Sequence, residues 1–269
     1  MGVVLAWSAI ALPWLGLGVP VLFGVAVWRR SLSAFLAVLV CAAGWLAAFG
    51  GSLLPASAAP GDLVVVQHNF SDENRDPAGT IATLMAVRPD LIGLEEVTVD
   101  LEVPLPHHVV FGTVGLWSRY PISSAAPVDI KPHGLDADWK RGLRAVVRGV
   151  VVYVVHLPSV RLDTGWRDDS AAQLGRWLAA ERGPVVLMGD LNGVVEDRGL
   201  RPITARMSTA RGGFAWSFPA AFPVGRIDQV MVRGGEVGGV WTLARTGSDH
   251  LPVAARVTVG GAGGPWPAR

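Results

Sequence analysis

The first sixty residues of this 269-residue chain contain two charged side chains, Arg29 and Arg30, and no acidic residue. The arginines separate two uncharged apolar runs, residues 3–28 and residues 32–54. Each run is longer than the ~20 residues that a helix needs to cross a ~30 Å hydrocarbon core. We therefore predict that residues 1–60 form a membrane anchor with two transmembrane helices, placed ahead of a soluble domain.

The arginine pair also predicts the orientation of this anchor. Short loops that carry positive charge stay on the cytoplasmic side, so the N-terminus and everything after Leu54 are expected outside. The localisation that follows is the cytoplasmic membrane, multi-pass, with an extracytoplasmic domain. Two alternatives remain open at this stage: a buried helical hairpin of a soluble domain, and a signal peptide cleaved near Ala56-Ser57-Ala58.

The remainder of the chain has the composition of a soluble domain. All 22 acidic residues and all but two of the 23 basic residues lie after residue 60, so this part is close to neutral. Without a basic run, binding of long nucleic acids is unsupported, and no protein partner is predicted. Cys41 is the only cysteine, which excludes an intramolecular disulfide and a multi-cysteine zinc site. We predict a catalytic domain over residues 61–259 and a loose Gly/Pro-rich tail over residues 260–269.

Apolar runs and helical spacings alternate along this domain. Strands are predicted at residues 63–68, 91–94, 184–188, 226–232 and 252–259, with a hairpin that turns near Gly149. One helix is predicted around Ile81, Leu84 and Met85, and a second is predicted to start near Asp168 or Asp169. This alternation favours a layered α/β fold.

Polar residues that suit metal and phosphate chemistry lie within or next to these strands: Asn69, Glu96, His156, Asp190, Asn192, Asp228, Asp249 and His250. Carboxylates with amide oxygens, and no thiolates, suit a hard cation such as Mg²⁺ or Mn²⁺. Asp228 lies inside an apolar strand, where a carboxylate needs a partner such as a histidine or a metal. Each residue alone has a structural alternative, such as an Asx turn at Asp190.

The order of these motifs resembles the endonuclease/exonuclease/phosphatase superfamily, which includes pancreatic-type deoxyribonucleases, abasic-site endonucleases, sphingomyelinases and inositol-polyphosphate phosphatases. The resemblance extends from about residue 63 to residue 257. It depends on Asn69, the stretch from Pro89 through Glu95-Glu96-Val97, the stretch from Leu116 through Ser118-Arg119-Tyr120, His156-Leu157, Gly189-Asp190-Leu191-Asn192, Arg226-Ile227-Asp228 and Ser248-Asp249-His250. Two positions depart from the family pattern: Glu95 replaces a usual Gln, and Val155 replaces a common Thr.

The resemblance implies a four-layer, DNase-I-like α/β sandwich with the site at one end of two packed sheets. It implies that Glu96 binds the metal, with Asn69 and Asp249 as nearby oxygen ligands. It also implies that His250, hydrogen-bonded to Asp228, acts on the attacking water or on the phosphoryl group. Asp190 would orient or deprotonate that water, and Asn192 and His156 would hold the phosphoryl oxygens. Arg144 is a further candidate phosphate contact, and a solvated strand arginine is its equal alternative.

The predicted activity is hydrolysis of a phosphate or pyrophosphate ester outside the cytoplasmic membrane. The anchored layout is similar to that of the membrane-bound VanJ-like members of the superfamily, which suggests a lipid pyrophosphate as substrate. Two other hypotheses stay open: an extracytoplasmic nuclease, and a catalytically inactive binding module. The complete set of acids and imidazoles favours an enzyme over the inactive module.

Overall fold

Two β-sheets packed face to face form the centre of the domain that follows the apolar runs in the computed structural model, which describes residues 2–54, 63–210 and 212–260. The strands are β1 (Leu63–Asn69), β2 (Leu91–Glu95), β3 (His107–Phe111), β4 (Val114–Ser118), β5 (Ile122–Pro127), β6 (Gly142–Val147), β7 (Val150–His156), β8 (Val185–Asp190), β9 (Asp228–Arg233), β10 (Gly235–Thr242) and β11 (Val253–Val259). The first sheet has the order β10-β11-β1-β2-β4-β3 and the second β5-β6-β7-β8-β9. The predicted cleavage site at Ala56-Ser57-Ala58, the domain start at Gly61 and residues 261–269 of the predicted tail lie outside the described residues.

The helices lie before the sheets and on their outer faces. They are α1 (Gly2–Ala11), α2 (Gly18–Trp28), α3 (Leu32–Phe49), α4 (Pro77–Met85), α5 (Thr164–Ala180) and α6 (Arg201–Thr204), with 3₁₀ helices at Pro13–Leu17, Gly50–Leu53 and Arg198–Leu200.

Three clusters of buried side chains fill the spaces between the layers. One lies between the two sheets and includes Val65, Leu116 and Met188. The second joins α4 to the outer face of the first sheet, and the third joins α5 and α6 to the outer face of the second sheet. The predicted four-layer α/β sandwich is therefore confirmed.

The strand and helix bounds depart from the predicted ones where local hydrogen bonds override the apolar pattern. Helix α5 begins at Thr164, not near Asp168 or Asp169, because the Asp163 carboxylate accepts the Gly165 N–H at 2.7 Å and caps the helix earlier. Strand β10 was not predicted. It contains three glycines and is held by its pairing with β11 rather than by strand propensity.

The first apolar run is not one continuous helix. Helix α1 ends at Ala11, and a 3₁₀ helix begins at Pro13, which has no N–H to continue an α-helical ladder. Helices α2 and α3 then pack as a hairpin whose turn carries Arg29 and Arg30. The segments Trp7–Trp28 and Leu32–Leu53 are each long and apolar enough to cross a membrane, and only 6% of either is buried.

Candidate active site

A cleft of about 760 Å³ opens where the central strands of both sheets end. The parallel pairs β1–β2 and β7–β8 place Asn69 beside Glu95 and His156 beside Asp190 at this edge. Of the residues predicted for the site, those that line the cleft are Asn69, Glu96, His156, Asp190, Asn192, Asp249 and His250. Asp228 lies directly behind them, fully buried and paired in register with Asp190.

One amide group links the two carboxylates at the centre of the cleft. The Asn69 Nδ2 group donates to Glu96 Oε1 and to Asp190 Oδ2, at 3.1 Å each. The Asn69 Oδ1 atom instead accepts the backbone N–H of Ser71 at 3.1 Å. Asn69 was predicted to offer an oxygen to the metal, whereas in this structure its nitrogen faces the carboxylates.

Two residues of the cleft adopt the left-handed backbone region. The φ angle is 56° at Glu96 and 49° at Asn192. A non-glycine residue in such a conformation costs on the order of 1–3 kcal/mol and persists only when its surroundings hold it there. At Glu96 this turn separates two neighbouring acids: Glu95 is fully buried, and Glu96 remains partly exposed in the cleft.

His250 and Asp228 form a buried ion pair, with Nδ1 of the imidazole 2.9 Å from Oδ2 of the carboxylate. Burial by itself lowers the pKa of His250, but the carboxylates of Asp228 and Asp190 outweigh it and raise this pKa to about 10. Burial likewise acts to raise the pKa of Asp228, and the charge and hydrogen bond of His250 reverse this to a net lowering. His250 is therefore an imidazolium at neutral pH, with Nε2–H 3.9 Å from Asp190.

His156 has the opposite protonation state. Burial first, and then the guanidinium of Arg141, lower its pKa well below 6.5, so the ring is neutral. Arg141 NH1 lies 3.1 Å from Nδ1, and because an arginine only donates, Nδ1 is the acceptor. The proton is then on Nε2, which lies 3.6 Å from Asp190 and 3.8 Å from Glu96. His156 thus offers a neutral N–H donor to the cleft.

The cleft brings the carboxylates of Glu96, Asp190 and Asp249 together beside the two imidazoles. Burial raises the pKa of Asp190 to about 7; the charge of His250 opposes this rise, and that of Asp228 adds to it. Glu96 and Asp190 approach each other around the amide of Asn69, and Asp249 lies at the rim with 69% of its side chain exposed. Carboxylate oxygens are the ligands that a divalent cation such as Mg²⁺ prefers, so this set of acids fits such a cation. Asp190, Asp228 and His250 also lie within 4.8 Å of one another, but Nδ1 of His250 is already bonded to Asp228.

Behind the ion pair lies a second buried acid, Glu95. Gln67 Nε2 donates to Glu95 Oε2 at 2.7 Å and to Asp228 Oδ1 at 3.1 Å, which connects the two acids. Burial, and then the charge of Asp228, raise the pKa of Glu95 well above its ordinary value. Burial therefore favours the protonated, uncharged form of Glu95. A protonated carboxyl is uncharged, as an amide is, which explains how Glu95 can occupy the position where the family that the sequence resembles usually has Gln.

We expect Glu95→Gln to keep the activity within about threefold, because glutamine has the shape and the zero charge of the protonated acid that burial favours at this position. Its effect on stability should depend on pH. A carboxyl whose pKa is raised on folding binds a proton that the unfolded chain releases, so the native protein loses stability as pH rises above ~4.5. Relative to the native chain, the variant should gain about 1.4 kcal/mol per pH unit over this range. Thermal unfolding of the native chain and the variant at pH 5 and pH 8 measures this gain. If the stability difference between the two proteins were the same at both pH values, the raised pKa of Glu95 would be contradicted.

The loop before β11 is fixed to β1 by hydroxyl groups. Ser248 Oγ donates to the Asn69 carbonyl at 2.7 Å and accepts the His250 N–H at 3.0 Å. Thr246 Oγ1 lies 3.2 Å from Nε2 of His68. These contacts hold His250 and Asp249 over the strand end that carries Asn69.

Arg144 is not brought to the cleft. Its guanidinium binds both carboxylate oxygens of Glu181, at 2.5 and 3.2 Å, and the Tyr153 hydroxyl donates to the same carboxylate. The reason is the period-two alternation of β6: Leu143 and Ala145 face the other sheet, so Arg144 points to the helix side. The prediction of a phosphate contact at Arg144 is corrected accordingly. Alternation would have identified Arg141, which lines the cleft with Arg75, Arg161 and Arg245.

Comparisons with known proteins were made on the sequence and on the structure. A profile described as the endonuclease/exonuclease/phosphatase family matches residues 51–250. No protein of curated function matches the chain significantly.

Solved structures share the fold at low sequence identity. A 3′ phosphatase from Neisseria, bound to a product DNA hairpin, is 19% identical with a TM-score of 0.54, covering 72% of this chain and 98% of its own. A mannosyl-6-phosphatase from Bacteroides thetaiotaomicron is 16% identical with a TM-score of 0.58, covering 73% and 99%. A conserved protein of unknown function from Enterococcus faecalis is 14% identical with a TM-score of 0.61, covering 74% and 100%.

Proposed function

Because this chain belongs to the endonuclease/exonuclease/phosphatase family, whose members hydrolyse phosphate ester bonds, we propose that it is a divalent-metal-dependent phosphoesterase of the cytoplasmic membrane. The observation that carries the proposal is one cleft in which Glu96, Asp190 and His156 converge on the His250–Asp228 ion pair. Acids, a neutral imidazole and an imidazolium in one place supply each group that phosphoryl transfer requires.

Each of these side chains has a role that its protonation state supports. Asp190, with a pKa near 7, takes the proton of the attacking water as the water oxygen bonds to phosphorus. The P–O bond to the leaving oxygen, which in a pyrophosphate is the oxygen that bridges the two phosphorus atoms, breaks at the same time, and that oxygen leaves as an anion. The charged His250, held by Asp228, lies 3.9 Å from Asp190 and stabilises the negative phosphoryl oxygens. His156 donates its Nε2–H to those oxygens, and Asn192 lies beside them at the end of β8.

A divalent cation fits beside Glu96 and Asp190, with Asp249 at the rim as a further ligand. When bound, Mg²⁺ or Mn²⁺ would polarise the phosphoryl group and neutralise its charge. Glu96 would hold the cation directly, which its partly exposed carboxylate allows. If Asn69 takes part through its oxygen, its side-chain amide must turn over, because that oxygen now accepts the Ser71 N–H.

The hairpin supports an extracytoplasmic, membrane-anchored enzyme. The segments on either side of the hairpin contact the domain. Before it, the Trp14 indole N–H donates to the Val224 carbonyl, and after it, the Leu54 carbonyl accepts the Gly213 N–H. Arg29 and Arg30 lie at the turn between α2 and α3, where positive charge favours the cytoplasmic side. A substrate in the outer face of the bilayer then meets the domain, and a lipid pyrophosphate is the substrate that we propose.

Metal removal and a substrate panel test this function. The purified full chain should release phosphate from a lipid pyrophosphate with Mg²⁺ or Mn²⁺, lose at least 100-fold in rate with EDTA, and recover when the metal is restored. Cleavage of DNA without release of phosphate from the lipid would instead support the nuclease alternative. A cellular effect retained by both Glu96→Ala and His250→Ala, without turnover of any substrate, would support the inactive binding module.

A further inference from the structure

The outer part of the catalytic cleft has an apolar wall, which the proposed chemistry does not use. Five side chains form this wall: Trp7 and Ile10 of α1, Val160 and Leu162 of the loop after β7, and Phe218. Trp7 is 39% exposed and Leu162 is 69% exposed, so both face open space in the cleft. Helix α1 precedes the catalytic domain by about fifty residues of chain and nevertheless lines its site.

Contacts on the domain hold α1 and the segment after it in this place. The Trp14 ring stacks on the Trp216 ring at 4.3 Å, and its N–H donates to the Val224 carbonyl at 2.8 Å. Ile10 packs over Gly225, where an added Cβ would lie 3.1 Å from its Cγ2. Partly buried aromatic stacking with a satisfied indole N–H indicates a specific interface rather than a chance approach.

Arg161 lies where the apolar wall meets the polar part of the cleft. Its guanidinium is 6.0 Å from the Trp7 ring and 5.5 Å from the Phe218 ring. The Phe218 ring in turn lies 4.8 Å from the His250 ring. A molecule with a phosphate at His250 therefore has an arginine and then aromatic surface immediately next to that phosphate.

The wall is also continuous with the segment that enters the bilayer. Trp7 is the first residue of the apolar stretch Trp7–Trp28, so one stretch of chain touches both the cleft and the proposed lipid phase. A hydrocarbon chain that follows this stretch out of the bilayer stays against apolar side chains until its phosphate reaches the cleft.

We propose that α1 is part of the substrate site, and that Trp7 and Ile10, with Leu162 and Phe218, bind the hydrocarbon chain of an amphiphilic phosphate ester. This inference rests on the proposed phosphoesterase function and adds the residues that select the substrate. The membrane anchor then has two roles, since it tethers the enzyme and completes its site. Each methylene buried on such a wall raises affinity about fourfold, so chain length is the property to vary.

The experiment uses the full chain in lipid nanodiscs and n-alkyl diphosphates of 4 and 12 carbons. In the double variant Trp7→Ala/Ile10→Ala, kcat/KM for the 12-carbon ester should fall about 10- to 30-fold, mainly through KM, because several methylene contacts are lost. The 4-carbon ester should be cleaved within twofold of the native rate. Trp28→Ala is the matched control, since Trp28 is 83% exposed at the far end of the same apolar stretch, and it should change neither rate.

Other outcomes overturn the proposal. An equal loss for both chain lengths would mean that α1 only supports the fold, and a gain for both would mean that it obstructs the cleft. Binding of dodecylphosphonate and butylphosphonate, measured calorimetrically, separates this inference from the phosphoesterase function. If the double variant bound dodecylphosphonate more weakly than the native chain does, and bound butylphosphonate equally well, the wall would be supported even if the chain cleaved no substrate. If the native chain cleaved the 4- and 12-carbon esters equally well, the phosphoesterase function would stand and the proposed hydrocarbon-binding wall would be wrong.

Discussion

Replacement of Asp228 by asparagine is expected to lower kcat about 10³–10⁴-fold, the scale seen when the carboxylate behind a catalytic histidine is neutralised in other hydrolases. The carboxylate holds Nδ1 of His250 at 2.9 Å and keeps the ring charged. Asparagine has the same shape, and its oxygen can still accept from Gln67, but its NH₂ group would then face Nδ1. The ring would lose its charge, and the pKa of His250 should fall from about 10 toward 6.5.

Two measurements check this prediction: kcat for the cleaved substrate, and the titration of the His250 ring by NMR. Asp136→Asn makes the same chemical change at an exposed position and should leave both unchanged. A kcat for Asp228→Asn within tenfold of the native value would show that the ion pair has no part in the chemistry.

The same variant should show a pH-dependent loss of stability. His250, with its pKa raised on folding, contributes stability that is complete below ~6.5 and is lost as pH rises through about 10. Asp228, with its pKa lowered, contributes stability above ~3.9 that is lost as pH falls. The destabilisation by Asp228→Asn should therefore be largest between ~4 and ~6.5 and should diminish as pH rises from ~6.5 to about 10.

Replacement of Glu96 by glutamine is the second change with a large expected effect. It should lower the rate about 10²–10³-fold at fixed Mg²⁺, since it removes one charge from the proposed cation site and leaves the shape unchanged. Higher Mn²⁺ or Mg²⁺ should restore part of the rate, because the defect is mainly in metal affinity. The measurement is the rate as a function of metal concentration, together with calorimetric binding of Mn²⁺.

Glu95→Gln is the matched control for this experiment, because it makes the identical change one residue earlier. The positive φ angle of Glu96 directs the two carboxyl groups into different surroundings, one buried and one in the cleft. Only the change at Glu96 should therefore alter the metal dependence. If Glu95→Gln lost more activity than Glu96→Gln, the assignment of the metal ligand would have to be exchanged.

Much of the fold was predictable because the amino-acid composition of a strand reflects how deeply the strand is buried. Runs such as Val64-Val65-Val66 and Val185-Val186-Leu187 are buried on both faces, so their β-branched and aliphatic residues predict strands without any knowledge of neighbours. Strands β3, β4, β5 and β10 were missed because their composition is mixed or contains glycine, and they form through pairing at or near sheet edges.

Predicting the site residues followed from the same reasoning. Polar residues that directly follow apolar strands, such as Asn69 and Asp190, must lie at a sheet edge, and strand order brings such edges together. The pairing of Asp228 with a histidine or metal was also foreseeable, since a lone buried carboxylate is too costly. The prediction for Arg144 was wrong because successive side chains of β6 point to opposite faces of the sheet, and Arg144 lies on the face turned away from the cleft.

The sequence alone determined the two apolar N-terminal segments, the α/β class and the identity of the groups around the cleft, because these depend on composition and order along the chain. Only the tertiary structure decided their states: which imidazole is charged, that the pKa of Glu95 is raised, and that the Asn69 nitrogen faces the acids. It also placed Trp7 beside Arg161 and Phe218. Proton affinities depend on burial and on charges from strands far apart in sequence, and contacts across 150 residues leave no local pattern to detect.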